Sequence, residues 1–307
     1  QLLTRAQESG CKVVVMEVSS QALSYNRLFG INYSTIGFTN FTEDHLDYHK
    51  TMENYLEAKK LILNHLDKDA IICVNKDDAY HNSFNTNNHK FITFGNDGDY
   101  KIISYSTTPK DTDLVFEYDG TLYNATIPLT SKFNVYNFLT MLSILNQYGF
   151  DINSLLEKTE LLKAPKGRCE TISINGAYAI VDYAHTPDAV ENVISTYNEL
   201  KKGKIITIIG CGGDRDPKKR PLMGEIATRL SDYVIITNDN PRPGDENKII
   251  SDILNGIKKE NYEVITDRRT AIKYGIKMLE ENDILTIPHY VVFLFAEDLQ
   301  NGTLKIE

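Results

Sequence analysis

The stretch "KIITIIGCGGDRDPKKRPLMG" (Lys204–Gly224) decides the fold. It opens with an isoleucine-rich apolar run that is too short for a buried helix and the right length for a strand covered on both faces. Gly210, Gly212 and Gly213 then break the run, a cationic segment follows, and a helical pattern begins. Strand, glycine-rich exit and helix, in that order, make the repeating unit of a parallel α/β sheet. The rhythm continues outward. "YAIVDYA" (Tyr178–Ala184) lies before it, and "DYVIIT" (Asp232–Thr237) and "YEVIT" (Tyr262–Thr266) lie after it, with helical patterns between. The spacing predicts a doubly wound α/β domain.

The first half has a similar rhythm. "KVVVMEV" (Lys12–Val18), "STIGFTN" (Ser34–Asn40) and "DAIICVN" (Asp69–Asn75) read as buried strands. Between the last two, "MENYLEAKKLILNHL" (Met52–Leu66) places Tyr55, Leu56, Ile62, Leu63 and Leu66 at helical spacing, which predicts one helix. "TDLVFEYDGTLYNATIPLT" (Thr112–Thr130) alternates apolar and polar residues about Asp119-Gly120, a strong hairpin signal. "NVYNFLTMLSILNQYG" (Asn134–Gly149) reads as a helix closed by a glycine. "LLKAPKGRCE" (Leu161–Glu170) carries Pro and Gly between two structured regions, and the domain boundary is placed there, with residues 1–164 on one side and 165–307 on the other.

Composition narrows the class of function. At 307 residues and a net charge of −9, the chain is long enough for two domains and too acidic for a general nucleic-acid or membrane-surface role. Anion binding would need local basic clusters. Cys11, Cys73, Cys169 and Cys211 form no CxxC pair, which suits reduced thiols in the cytoplasm. No signal peptide is present, and the longest apolar run, "YVVFLFA" (Tyr290–Ala296), is too short to cross a bilayer. The chain begins with Gln1, so a natural start further upstream is expected.

Ligands of open parallel sheets bind beyond the carboxyl ends of the strands. That rule selects Glu17, Thr39 and Asn40 in the first half. In the second half it selects Asp182, His185, "GCGGDRD" (Gly210–Asp216) and "NDNPRPGD" (Asn238–Asp245). A cleft between the two domains is the expected site. In "TEDHLDYHKTMENYLEAKK" (Thr42–Lys60), Asp44, His45, Asp47 and His49 could hold a divalent cation. Alternatively the stretch is a polar loop in which Thr51 caps a helix. Glu17, a carboxylate ending a neighbouring strand, favours the cation. Arg215, Lys218, Lys219 and Arg220 suit phosphate or carboxylate groups, or else form a solvated basic loop. The segment is not GxGxxG, so it is no dinucleotide fingerprint. "DNPRP" (Asp239–Pro243) is either a simple turn or a stiff loop presenting Arg242 to a carboxylate.

"MEVSSQAL", "FTNFTEDHLDYHKTMENYLEAKK", "NKDD", "KFNVYN", "GRCE", "VDYAHTPDA", "GCGGDRDPKKRPLMG" and "DNPRP" together resemble the Mur ligases, in family order over nearly the whole chain. They are most similar to the branch that adds meso-diaminopimelate to UDP-N-acetylmuramoyl-L-alanyl-D-glutamate. The resemblance implies a central P-loop-type ATPase domain followed by a Rossmann-like C-terminal domain that binds the amino acid. It also implies ATP-dependent amide synthesis through an acyl phosphate, with Mg²⁺, in a cytoplasmic monomer. By the same resemblance Glu17, His45 and a carboxylated Lys59 hold Mg²⁺, while Asp47 and His49 are structural. Ser19 and Arg27 hold the UDP-muramoyl peptide, with Tyr25 standing where the family often has glutamine. Asn40, Asn137, Arg168 and Asp182 contact the nucleotide, and His185 lies near the transferred group. Arg215, Asp239, Asn240, Pro241 and Arg242 match the amino-acid site. Diaminopimelate carries a distal carboxylate that lysine lacks, and Arg242 can pair with it.

Two departures are expected to limit activity. The family's glycine-rich GKT or GKS phosphate loop is not in this sequence, and "TIPHYVVFLFAEDLQNGTLKIE" (Thr286–Glu307) replaces the family's Gly-Lys-Gly-His-Glu element. The chain therefore reads as incomplete at both ends and inactive alone. The rival readings are a non-catalytic binding module of the same fold and a sister ligase for another amino acid.

Overall fold

The computed structural model describes residues 2–213, 216–239 and 244–288, apart from the side chain of Asp47. The chain divides into two compact units. One takes residues 1–104, 115–124 and 135–156, and the other takes 105–114, 125–134 and the chain from 157 onward.

The first sheet has strand order β1-β2-β3-β4-β5-β6. Its strands are β1 (Tyr33–Phe38), β2 (Leu66–Asn75), β3 (Lys90–Gly95), β4 (Tyr100–Thr107), β5 (Thr112–Tyr118) and β6 (Thr121–Ile127). β1, β2 and β3 pair in parallel. β5 and β6 are joined by Asp119 and Gly120, both at positive φ (49° and 71°), the backbone a two-residue hairpin turn requires. The helices are α1 (Leu2–Glu8), α2 (Ser20–Ser24), α3 (Leu46–His49), α4 (Met52–Lys60), α5 (Lys132–Gln147) and α6 (Ile152–Leu156). Ile36, Phe38, Phe41, Tyr55, Ile72, Val74 and Phe84 form the core between β1, β2 and α4.

Two expectations for this unit are corrected. Lys12–Val18 is not a strand: Cys11–Ser19 has no regular structure, and Val13 and Val15 are 78% and 93% exposed. An apolar run becomes a strand only when a neighbour takes its N–H and C=O groups. Among the described residues β1 pairs with β2 and nothing pairs with Lys12–Val18. The helix from Met52 also stops early. α4 ends at Lys60, Leu61–His65 form a 3₁₀ turn, and β2 starts at Leu66. The apolar spacing persists because Ile62, Leu63 and Leu66 still pack on the same core, but the tighter turn delivers the chain into β2 without a linker.

The second sheet has order β11-β10-β9-β12-β8-β7. It comprises β7 (Glu170–Ile174), β8 (Ala177–Asp182), β9 (Ile205–Ile209), β10 (Tyr233–Ile236), β11 (Tyr262–Val264) and β12 (Ile284–Pro288). All pairs are parallel except that of edge strand β7 with β8. Four helices cross over: α7 (Pro187–Leu200), α8 (Lys219–Leu230), α9 (Glu246–Leu254) and α10 (Arg268–Lys277). The isoleucine run of β9 is explained by its two faces. Ile205 and Ile209 join the core under α7, α8 and α9, while Ile206 and Ile208 join the core under α10. Both faces are covered, so both must be apolar. Thr207, fully buried, hydrogen-bonds through its hydroxyl to the hydroxyls of Ser231 and Thr286, each at 2.7 Å.

Candidate functional site

In the first unit the expected residues gather around α4. Thr51 starts that helix from an extended backbone and accepts the Asn54 N–H at 3.2 Å. The capped start fixes the phase of the helix, and Tyr55 and Lys59, four residues apart, fall on one side. Lys59 Nζ lies 5.0 Å from the centre of the Tyr55 ring. Burial lowers the pKa of the Lys59 amine, against the opposing pull of the Asp44 and Glu17 carboxylates. Burial also raises the Tyr55 phenol, and the Asp44 charge adds to that. His45 sits at φ 54°, in the left-handed region, with its ring 6.0 Å from Tyr55 and its Nε2 3.5 Å from Asp44. The structure therefore brings Asp44, His45, Tyr55 and Lys59 into one corner, with the Glu17 carboxylate near enough to act on the Lys59 amine. Among the described residues no group of three or more His, Cys, Asp or Glu is disposed to hold a metal. Mg²⁺ needs less than that, since it binds through one or two carboxylates and keeps waters and substrate phosphates as its other ligands.

His49 is used differently. It is buried, its Nε2 lies 2.8 Å from the Ser20 hydroxyl, and it stacks on Tyr55 at 5.0 Å. Ser19 caps α2, accepting the Ala22 N–H at 3.2 Å. Arg27 lies over the Tyr25 ring at 5.3 Å, and Tyr25 meets Tyr48 at 5.6 Å, so the departure at Tyr25 places an aromatic surface beside the arginine. Asn40 is exposed just beyond β1, where Thr39 donates to its Oδ1 at 3.2 Å. Asn137 lies on the exposed side of α5.

In the second unit Asp182 ends β8. Its carboxylate accepts the Cys169 N–H and the Ala184 N–H, each at 2.8 Å. The turn that allows this holds Cys169 at φ 47° and Gly167 at φ 68°. Arg168, exposed between them, lies 4.6 Å over the Tyr183 ring, and Tyr183 meets His185 at 4.8 Å. Arg168, Tyr183 and His185 thus make a cationic and aromatic ledge at the carboxyl end of β8.

The exits of β9 and β10 are packed tightly. A Cβ on Gly210 would lie 2.6 Å from the Thr237 carbonyl oxygen, so a glycine is needed for this approach. Asp239 is buried at the exit of β10. Arg215, Asn240, Pro241 and Arg242 lie outside the described residues, as does the tail after Pro288. Of the basic segment, Lys218 and Lys219 are exposed, whereas Arg220 is buried and pairs with Asp252 at 2.7 Å. Arg220 is therefore a structural cation bridging α8 and α9, which the charge count alone did not separate from its neighbours.

Sequence reasoning did not single out Tyr55 and Tyr183 as partners of cations. Tyr55 was readable from its spacing to Lys59. Tyr183 was not, because its contact with Arg168 joins two segments distant in sequence.

Residues 1–145 match the Mur ligase middle domain family, and residues 167–287 match the family described as Mur ligase, glutamate ligase domain. A UDP-N-acetylmuramoyl-L-alanyl-D-glutamate--2,6-diaminopimelate ligase of Aquifex aeolicus is 41% identical over 283 residues, covering 91% of this chain and 58% of the relative. The enzyme of the same name from Rickettsia rickettsii is 40% identical over 291 residues, covering 91% and 60%. A solved structure under that name is 33% identical with a TM-score of 0.67, covering 89% of this chain and 58% of its own. A MurF ligase of Thermotoga maritima solved with ADP shares the fold at 17% identity, with a TM-score of 0.69 and coverage of 93% and 66%. The chain thus spans a little under three-fifths of the Aquifex relative's length.

Proposed function

The chain belongs to the Mur ligase family, and we propose that it carries the nucleotide-handling and amino-acid-handling residues of an ATP-dependent ligase. The reaction joins meso-diaminopimelate to UDP-N-acetylmuramoyl-L-alanyl-D-glutamate in peptidoglycan precursor synthesis, in the cytoplasm and in a monomeric enzyme. ATP phosphorylates the D-glutamyl carboxylate, and the diaminopimelate amine displaces phosphate from the acyl phosphate.

The observation that carries this reading is the setting of Lys59. Its amine is desolvated above Tyr55 and lies within the field of two carboxylates, Glu17 and Asp44. A lysine with a lowered pKa keeps more of its amine neutral, and a neutral amine is what reacts with CO₂. The product is a carbamate anion and a released proton. Glu17, His45 and the Lys59 carbamate would then hold Mg²⁺, a donor set of hard oxygens and one imidazole that suits this ion. When bound, Mg²⁺ neutralises charge on the ATP phosphates. Asn40, Asn137 and Arg168 are nucleotide-contacting residues on this reading; Asp182 fixes the turn that carries Arg168, and Arg168 supplies positive charge. Ser19 and Arg27 bind the UDP-muramoyl peptide, with Tyr25 beside them. His185 acts near the transferred group, and Arg215, Asp239, Asn240, Pro241 and Arg242 bind the amino acid, Arg242 through its distal carboxylate.

Incubation of the gene's product with ATP, Mg²⁺, the UDP-muramoyl dipeptide and meso-diaminopimelate tests the reading. ADP should form in step with a new amide bond and should require both other substrates. ADP release without diaminopimelate, or a dipeptide left unextended, would refute it.

A further inference from the structure

Arg268 is the first residue of α10 and is 8% exposed. Its environment is unfavourable for a cation in three ways. The guanidinium is desolvated, which pushes its pKa down to about 10. It stands at a helix N-terminus, where the macrodipole is positive. Among the described residues no carboxylate forms an ion pair with it, and its Nε has no hydrogen-bond partner. Its donors are used on backbone carbonyls instead.

Those donors hold two strand exits. Nη1 donates to the Asn238 carbonyl at 3.3 Å, and Nη2 donates to the Pro288 carbonyl at 3.2 Å. The first is the peptide leaving β10, directly before Asp239, and the second is the last residue of β12. β9 lies between these strands in the sheet. Asn238 is fixed from other sides as well. Its N–H donates to Thr266 O at 3.2 Å, its side-chain amide donates to Glu246 at 2.6 Å, and the Thr237–Asn238 peptide packs against Gly210. The helix that carries Arg268 is itself anchored, because Asp267 caps it by accepting the Thr270 N–H at 2.8 Å. Only a planar side chain with several donors can reach both carbonyls at once.

We propose that Arg268 is a positioning residue for amino-acid binding: by clamping the Asn238 and Pro288 carbonyls it sets the place of Asp239 at the carboxyl end of the second sheet. The inference rests on the assignment of Asp239 to the diaminopimelate site. The guanidinium does not touch the amino acid and acts through the backbone before Asp239.

Calorimetric titration of the full chain with meso-diaminopimelate tests it, using Arg268→Met, Arg268→Lys and a control, Ile253→Ala, which opens a cavity in the core on the other face of the same sheet. Arg268→Met should bind at least about tenfold more weakly, the loss of charge-assisted hydrogen bonds. Arg268→Lys keeps the charge without the two-pronged reach, so its binding should stay weakened, and it carries the test where the Met variant fails to fold. Ile253→Ala should bind normally even where thermal unfolding shows it to be the less stable protein, because a general loss of stability does not move the strand exits. Wild-type affinity in both Arg268 variants would overturn this inference alone. Equal weakening in Ile253→Ala would overturn it in favour of a general structural role. Absence of binding to the unaltered chain would overturn the diaminopimelate reading and this inference with it.

Discussion

Lys59 is where a single residue has the most to explain. An exposed lysine amine is almost wholly protonated at neutral pH. Burial over Tyr55 lowers the pKa of this one, while Glu17 and Asp44 pull in the other direction. Burial is the larger effect, so the neutral amine is more abundant than in an ordinary lysine at the same pH, and its fraction rises as pH rises. With ¹³C-bicarbonate, NMR should therefore show a carbamate signal that grows with pH, disappears in Lys59→Ala and survives in Lys60→Ala. A signal unchanged in Lys59→Ala would place the carbamate elsewhere. Much of this corner was legible in the sequence. The motif ending in "LEAKK" marked Lys59 by resemblance, and Asp44 stood out as a possible cation ligand. Arg268 was not legible, since nothing in an Asp-Arg-Arg run says that one arginine's carbonyl partners will both be strand ends.

Among the elements, the exit of β9 tests whether glycine is there for space. A Cβ on Gly210 meets the Thr237 oxygen at 2.6 Å, and that atom is backbone, which cannot swing away. Gly210→Ala should lower stability by about 1–3 kcal/mol, the usual cost of overpacking. Urea unfolding measures it, and an unchanged midpoint would mean that the exits of β9 and β10 separate easily. The central strands β9 and β10 of the second sheet were readable because both faces are covered and their sequences are mostly apolar, whereas β7 and β12 were not singled out. Lys12–Val18 has the same signature yet is no strand. Hydrophobicity reports a tendency to burial, whereas a strand also needs a ladder partner, and a partner is not written in the run itself. The hairpin at Asp119-Gly120 was legible for the opposite reason, because its positive φ values are a local requirement that the two residues meet themselves.

On the proposed function, a chain with net charge −9 handles phosphates and carboxylates through a few placed cations. Arg168 stands on Tyr183, Arg220 is committed to Asp252, and Arg268 is committed to backbone carbonyls. On the proposed function, Arg242 is the cation for the amino acid's distal carboxylate. A site built to pair a charged group rejects an analogue that lacks it, because its own charge is then left unpaired. The choice of diaminopimelate over lysine is therefore what a competition should reveal. The gene's product is given equal concentrations of meso-diaminopimelate and L-lysine with ATP, Mg²⁺ and the UDP-muramoyl dipeptide, and the extended products are weighed by mass spectrometry. Diaminopimelate product should exceed lysine product by about a hundredfold or more, and the excess should narrow in Arg242→Ala; lysine taken up equally or preferentially would rule out a diaminopimelate-adding ligase.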